Sequence, residues 1–96
     1  MSADVQVSPH QVYQRRSEVV VTDLEDELVL LDPGTVEMYS LNTIGRLVWL
    51  NLPDSPAGIV GKVTESFDVS AEQALSDVQE LLSTLSGMNL VELQGP

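Results

Sequence analysis

Apolar residues alternate with polar ones, or bunch in short runs, through the first half of the chain and recur every three or four positions through the second. Strands are therefore expected first and helices after them. Glu18 to Leu24 is rich in β-branched residues, Leu28 to Asp32 is a short apolar run, and Val36 to Leu41 mixes apolar with polar positions. All three read as strands. Their connections are hairpin-sized: Asp23-Leu24-Glu25-Asp26-Glu27 is an acidic turn, and Asp32-Pro33-Gly34-Thr35 places Pro second and Gly third, the order of a type II turn. A three-stranded antiparallel meander follows from this reading.

After Leu41 the period lengthens toward 3.6. Ile44, Leu47, Val48 and Leu52 fall on one face behind Asn42, a good helix cap, which predicts a helix over residues 43–51. Pro53-Asp54-Ser55-Pro56 interrupts it and restarts a second helix, with Ser55 as cap, Pro56 in the first turn and Ile59, Val60, Val63 and Phe67 as its stripe. The third helix carries the clearest pattern. Ser70 and Gln73 have capping-box spacing, Ala71, Ala74, Leu75, Val78, Leu81, Leu82 and Leu85 form the apolar stripe, and Gly87 is placed to end it. Leu90 to Leu93 reads as a short last strand. Residues 1–16, with Pro9, His10 and the Arg15-Arg16 pair, are weakly patterned and read as a flexible N-terminal arm, leaving a folded domain over 17–93 and a frayed tail over 94–96.

Ninety-six residues hold one domain, and 43% hydrophobic residues are enough to fold it. The apolar runs are too short to span a bilayer, and Met1-Ser2-Ala3-Asp4 lacks the basic start and apolar stretch of a secretory signal, so a cytoplasmic protein is expected. Fifteen acidic residues against four basic ones give a formal charge of −11, which repels phosphate backbones and anionic lipid. Three strands, three helices and a final strand make an α+β chain in the order of a winged helix-turn-helix, yet residues 71–87 carry Glu72, Asp77 and Glu80 and no basic residue to meet DNA. Neither nucleic acid nor membrane is an expected partner.

Catalytic chemistry has little to work with. The sequence has no cysteine, and its one histidine, His10, lies beside Pro9 in the arm, so a serine nucleophile has no base and a metal no ligand set. Asp23 to Glu27 lacks the ligand alternation, central Gly and distal Glu of a calcium loop. Gly58 and Gly61 sit inside a helical pattern with no Lys-Ser or Lys-Thr after them, which is not a phosphate loop. No enzyme activity, cofactor or metal is expected.

Binding is what remains. The strand ending the meander has one edge open to pair with an extended peptide, which singles out Val36, Glu37, Met38, Tyr39 and Ser40; ordinary core packing accounts for one face of that strand.

Val29-Leu30-Leu31-Asp32, a Pro-Gly turn and Tyr39-Ser40-Leu41-Asn42-Thr43-Ile44-Gly45 together resemble the PqqD-like family, small leader-peptide recognition elements of pathways that modify ribosomally made peptides. Phe67-Asp68-Val69, then Ala74, Asp77, Val78, Leu81, Leu82 and Leu85, then Leu90-Val91, are similar to that family's C-terminal half, and Ser8-Pro9-His10 resembles the start of stand-alone lasso-peptide members. The resemblance covers about residues 18–93. It departs from the pattern in the turn, where Gly is expected directly before the aromatic strand, and at Met38, where an aromatic or polar residue is common.

The resemblance implies a winged-helix-like fold that binds the leader of a precursor peptide as an added antiparallel strand, with leader side chains between the third strand and the third helix. Leu75, Asp77, Val78 and Leu82 are expected on the helix wall. It also implies a separate processing enzyme, a leader peptidase in lasso pathways or a radical enzyme in quinone-cofactor synthesis. A winged-helix module for protein–protein assembly and a small-molecule carrier are the alternatives from other classes.

Overall fold

The structure, a computed structural model, describes residues 8–94. Strands β1 (Tyr13–Arg15), β2 (Val20–Asp23), β3 (Leu28–Asp32) and β4 (Glu37–Leu41) precede helices α1 (Thr43–Leu50), α2 (Pro56–Ser66) and α3 (Ala71–Gly87), and β5 (Val91–Leu93) closes the order. The architecture is α+β. β2, β3 and β4 form an antiparallel sheet in that order, and β1 and β5 form a separate antiparallel pair.

All three helices start at the polar residues that the sequence marks. Asn42 Oδ1 accepts from the Gly45 N–H at 2.8 Å, Ser55 Oγ from Gly58 N–H at 3.2 Å and Ser70 Oγ from Gln73 N–H at 3.1 Å, each satisfying an amide that the first turn leaves open. The capping box of α3 is half formed, because the Gln73 amide donates forward to Asp77 Oδ1 at 2.8 Å. Gly87 does not terminate the helix by a left-handed turn. That conformation falls two residues later at Asn89, with φ 61°, a residue type that tolerates it.

One face of the sheet is buried and the other is not. Leu28, Leu30 and Leu41 point inward and meet Val48 and Trp49 of α1, Ile59 and Val63 of α2, and Ala74, Val78, Leu82 and Leu85 of α3 in a single core. Among the described residues no polar or charged residue is buried. Registry pairs Leu28 with Leu41, Leu30 with Tyr39 and Leu31 with Met38, so the pleat sends Leu31 and Met38 outward.

Two local expectations are corrected. The β3–β4 connection is not a type II turn with a left-handed Gly34. Asp32 and Glu37 are the last paired residues, four residues loop between them, and the Val36 N–H donates to the Asp32 carbonyl at 2.7 Å. The left-handed residue is Val36, φ 62°, so Val36 belongs to the turn and β4 begins at Glu37. A β-branched side chain is strained there. The Asp32 carboxylate fixes the turn instead, accepting from the Gly34 N–H at 2.9 Å.

The second correction concerns the N-terminal arm. Residues 1–7 lie outside the described residues, as do the last two of the expected tail, but Tyr13–Arg15 is a strand, paired with β5 from Tyr13–Leu93 to Arg15–Val91. Tyr13 also exchanges both backbone bonds with Asp54 and is only 4% exposed. Short β5 would otherwise present two bare edges, and β1 covers one of them while Tyr13 fills the core beside the α1–α2 connection. Truncating Tyr13 to Ala is expected to lower unfolding free energy by about 3–5 kcal/mol in urea titrations, in the range for a buried aromatic. A freely moving arm predicts no change.

At the β2–β3 hairpin, Arg46 of α1 grips Asp23 with two hydrogen bonds of 2.8 Å, while Glu25 takes a left-handed φ of 76° and donates its N–H to Asp23. The Arg46 hydrogen bonds, foremost, and the Glu25 amide bring the Asp23 carboxyl from its ordinary 3.8 down to about 2. A folded-state value below the unfolded one means that this pair stabilises the fold above about pH 4, and that the contribution fades as pH falls toward 2. Asp23→Asn should remove that part of the acid dependence, so thermal melts of variant and parent converge at the acid end and separate near neutrality.

Candidate functional site

β4 ends the sheet, so one of its backbone edges has no strand beside it among the described residues. Next to that edge runs a groove of about 560 Å³ between β4 and α3. Tyr39, Ser40 and Leu41 form its strand side, Asn42, Ile44 and Gly45 its end at the start of α1, and Asp77, Glu80, Leu81 and Thr84 its helix side. The four helix positions are spaced three and four apart, which aligns them along one flank of α3.

Close packing makes the end of the groove. A Cβ on Gly45 would lie 3.0 Å from the Cβ of Leu41 and 3.3 Å from its Cδ2, so the missing side chain is what lets α1 begin directly against the end of β4. Asn42 caps the helix at the same point. Electrostatically the groove is one-sided: Asp77 and Glu80 line it, and no Lys or Arg does. One Asp77 oxygen accepts from Gln73; the carboxylate remains an acceptor with capacity to spare. An extended peptide lying here can pair its backbone with β4, set apolar side chains against Leu41, Ile44 and Leu81, and offer a cation or hydroxyl to Asp77 and Glu80.

The expected site residues separate into three groups. Tyr39, Ser40 and Asp77 come together in the groove. Glu37 and Met38 are on the open-edged strand without lining the groove, and Val36 stands in the turn before it. Val78 and Leu82 are corrected: at 1% and 0% exposure they are core, pointing under the sheet, and half-buried Leu75 lies away from the groove. The reason is angular. Ala74, Val78, Leu82 and Leu85 take the centre of the buried stripe, which turns the neighbouring positions 77, 81 and 84 toward β4. Glu80, Leu81 and Thr84 were missed as groove residues; the signal for them was the i, i+3, i+4, i+7 set starting from Asp77.

Leu82→Ala should therefore cost about 2–5 kcal/mol of stability, whereas Leu81→Ala should cost less than half as much and leave a folded domain with a wider groove. Paired denaturant titrations measure the difference, and equal losses would place both leucines in the core.

An α+β domain with an open sheet edge beside a helix-walled groove offers an extended peptide a place to pair. The family model for coenzyme PQQ synthesis protein D (PqqD) matches residues 27–91, from the start of β3 to the start of β5, and the chain belongs to that family. Its fold is shared by TbiB1 in complex with the TbiA(beta) leader peptide, with a TM-score of 0.75 and 26% identity over 86% of this chain and 96% of that one. Lasso peptide synthetase B1 complexed with the leader peptide is similar to the same degree, TM-score 0.75 and 26% identity, over 83% of this chain and 96% of the other. No curated protein sequence matches the chain.

Proposed function

We propose that this protein is a non-catalytic adaptor that binds the leader segment of a ribosomally made precursor peptide and delivers it to a separate processing enzyme, the leader peptidase of a lasso-peptide pathway. The leader adds to β4 as an antiparallel strand, its side chains lodged in the groove against α3. The observation that carries this reading is the coincidence of an unpaired strand edge with a groove along the same strand. Both solved neighbours are proteins complexed with a leader peptide, which supports the same mode. The lasso peptide synthetase among them favours that pathway over a chaperone for a radical enzyme in quinone-cofactor synthesis, the reading that the family's name suggests.

The winged helix-turn-helix-like label belongs to the same proposal, with α2 and α3 packed as the helix pair and the β2–β4 sheet beside them. So do the cytoplasmic location, where a ribosomal product is met, and the domain limits, which now include β1. Among the described residues no helix is long and apolar enough to cross a membrane.

Magnitudes set the affinity. Four strand-pairing hydrogen bonds at about 1 kcal/mol net and two or three apolar anchors at about 2 kcal/mol each give roughly 8–10 kcal/mol gross. Ordering a disordered leader takes back about 2–5 kcal/mol, so micromolar binding is near the ceiling and depends on well-packed anchors. Capture at this strength raises the local substrate concentration at a bound enzyme without chemistry in the adaptor.

Calorimetric titration with a lasso-precursor leader tests the proposal. Binding is expected, with amide shifts confined to Glu37–Leu41 and the facing flank of α3; shifts along β2 instead would move the leader to the other edge. Asp77→Asn keeps the shape and removes the charge, so affinity should fall about fivefold and its salt dependence should flatten if a leader cation meets this carboxylate. Unchanged affinity and salt slope would return Asp77 to solvent.

A further inference from the structure

The sheet has a second surface that, apart from Ser40 at the β4 edge, does not line the leader groove. Alternation along β2, β3 and β4 sends Val20, Thr22, Val29, Leu31, Met38 and Ser40 to the side facing away from the core. A one-sided antiparallel sheet ordinarily turns polar and charged residues outward. Here no position on that face is charged, in a chain of which 20% is charged. Val20, Leu31 and Met38 stand in one cross-strand row, with Val20 49% and Met38 66% exposed. A contiguous apolar row on an otherwise acidic molecule marks an interface.

Charge and continuity identify the occupant. A second copy would bring another −11 charge against the first, and that repulsion opposes pairing through this face. A leader strand paired to β4 would extend the same sheet by one strand and place alternate side chains beside Met38 and Ser40, in the plane of the row. A body seated on this face therefore touches adaptor and leader together, as an enzyme that acts on the leader must.

We infer that the outer face of the sheet, centred on the Val20–Leu31–Met38 row, is the docking surface for the processing enzyme, which meets it with an apolar patch rimmed by Lys and Arg. The inference rests on the leader-binding proposal, since the bound leader completes the surface. Leader and enzyme then bind with positive coupling, each raising the other's affinity by the same factor.

Val20 lies on β2, at the opposite edge of the sheet from the leader, and Leu31 lies on the central strand; neither lines the groove. Val20→Lys and Leu31→Lys place a like charge before a basic rim. The probe is the purified leader peptidase of the same pathway, measured by biolayer interferometry on the full chain with and without saturating leader, while leader affinity is followed separately by fluorescence anisotropy. Expected are leader affinities within twofold of the parent, at least a tenfold loss of peptidase affinity, and tighter peptidase binding to the parent when leader is present. Peptidase affinity unchanged in both variants, with leader binding intact, overturns the docking assignment and leaves the leader reading standing. A parent chain that binds no leader overturns both. If either lysine unfolds the sheet, Val20→Thr and Leu31→Thr keep strand propensity and remove the apolar row, and the same loss is expected. A dimer of the parent in sedimentation that the variants abolish would assign the face to a second copy and reject the enzyme.

Discussion

Leu41 and Gly45 meet where β4 ends and α1 begins, and the approach is close enough that a methyl group on Gly45 would sit 3.0 Å from the Leu41 Cβ. That contact fixes the angle at which the helical half leaves the sheet. Leu41 pairs with Leu28 across the ladder and both enter the core, so the contact also fixes β4 on β3. With one edge and one face held in this way, the other edge of β4 stays open without the strand having to be loose. A binding strand needs this combination, because an edge that first had to be ordered would lose part of its affinity to conformational entropy.

The chemistry of the molecule is correspondingly divided between inside and outside. The core is aliphatic apart from Tyr13 and Trp49, and among the described residues it buries no charged group. Selectivity has to come from the surface, where Asp77 and Glu80 bias the groove toward basic or hydroxyl-bearing peptides. The four basic residues are few enough that two of them already serve the fold: Arg46 ties α1 to the β2–β3 hairpin, and Arg16 sits within 3.5 Å of Glu18 and 3.4 Å of Glu92 beside the β1–β5 pair.

Local signals carried most of the fold. Asn42, Ser55 and Ser70 mark the helix starts because an N-cap is decided within three residues, and Leu28–Asp32 is legible because a short apolar run between an acidic turn and a Pro-Gly turn has few other outcomes. What escaped the sequence depends on distant partners. Tyr13 looks like an arm residue until Leu93 and Asp54 are beside it. Val36 reads as a strand residue by propensity, and only the closure of Asp32 on Glu37 forces it left-handed. On α3 the apolar stripe was legible, but its rotation was not. Rotation decides whether Leu81 or Leu82 faces β4, and a rotation about the helix axis is settled by packing against the other elements, which periodicity alone does not encode.

The β1–β5 pair gives the molecule a property separate from recognition. Because Tyr13 lies opposite Leu93, the backbone enters and leaves the described domain through the same two-stranded ribbon. Topologically the domain is a closed excursion from a single point, and such a unit can be spliced into a surface loop of another protein without stretching either. Grafting it through residues 12 and 94, where the Gln94 N–H meets the Val12 carbonyl at 2.8 Å, would keep that ribbon as the stem of the insertion and leave the β4 edge untouched.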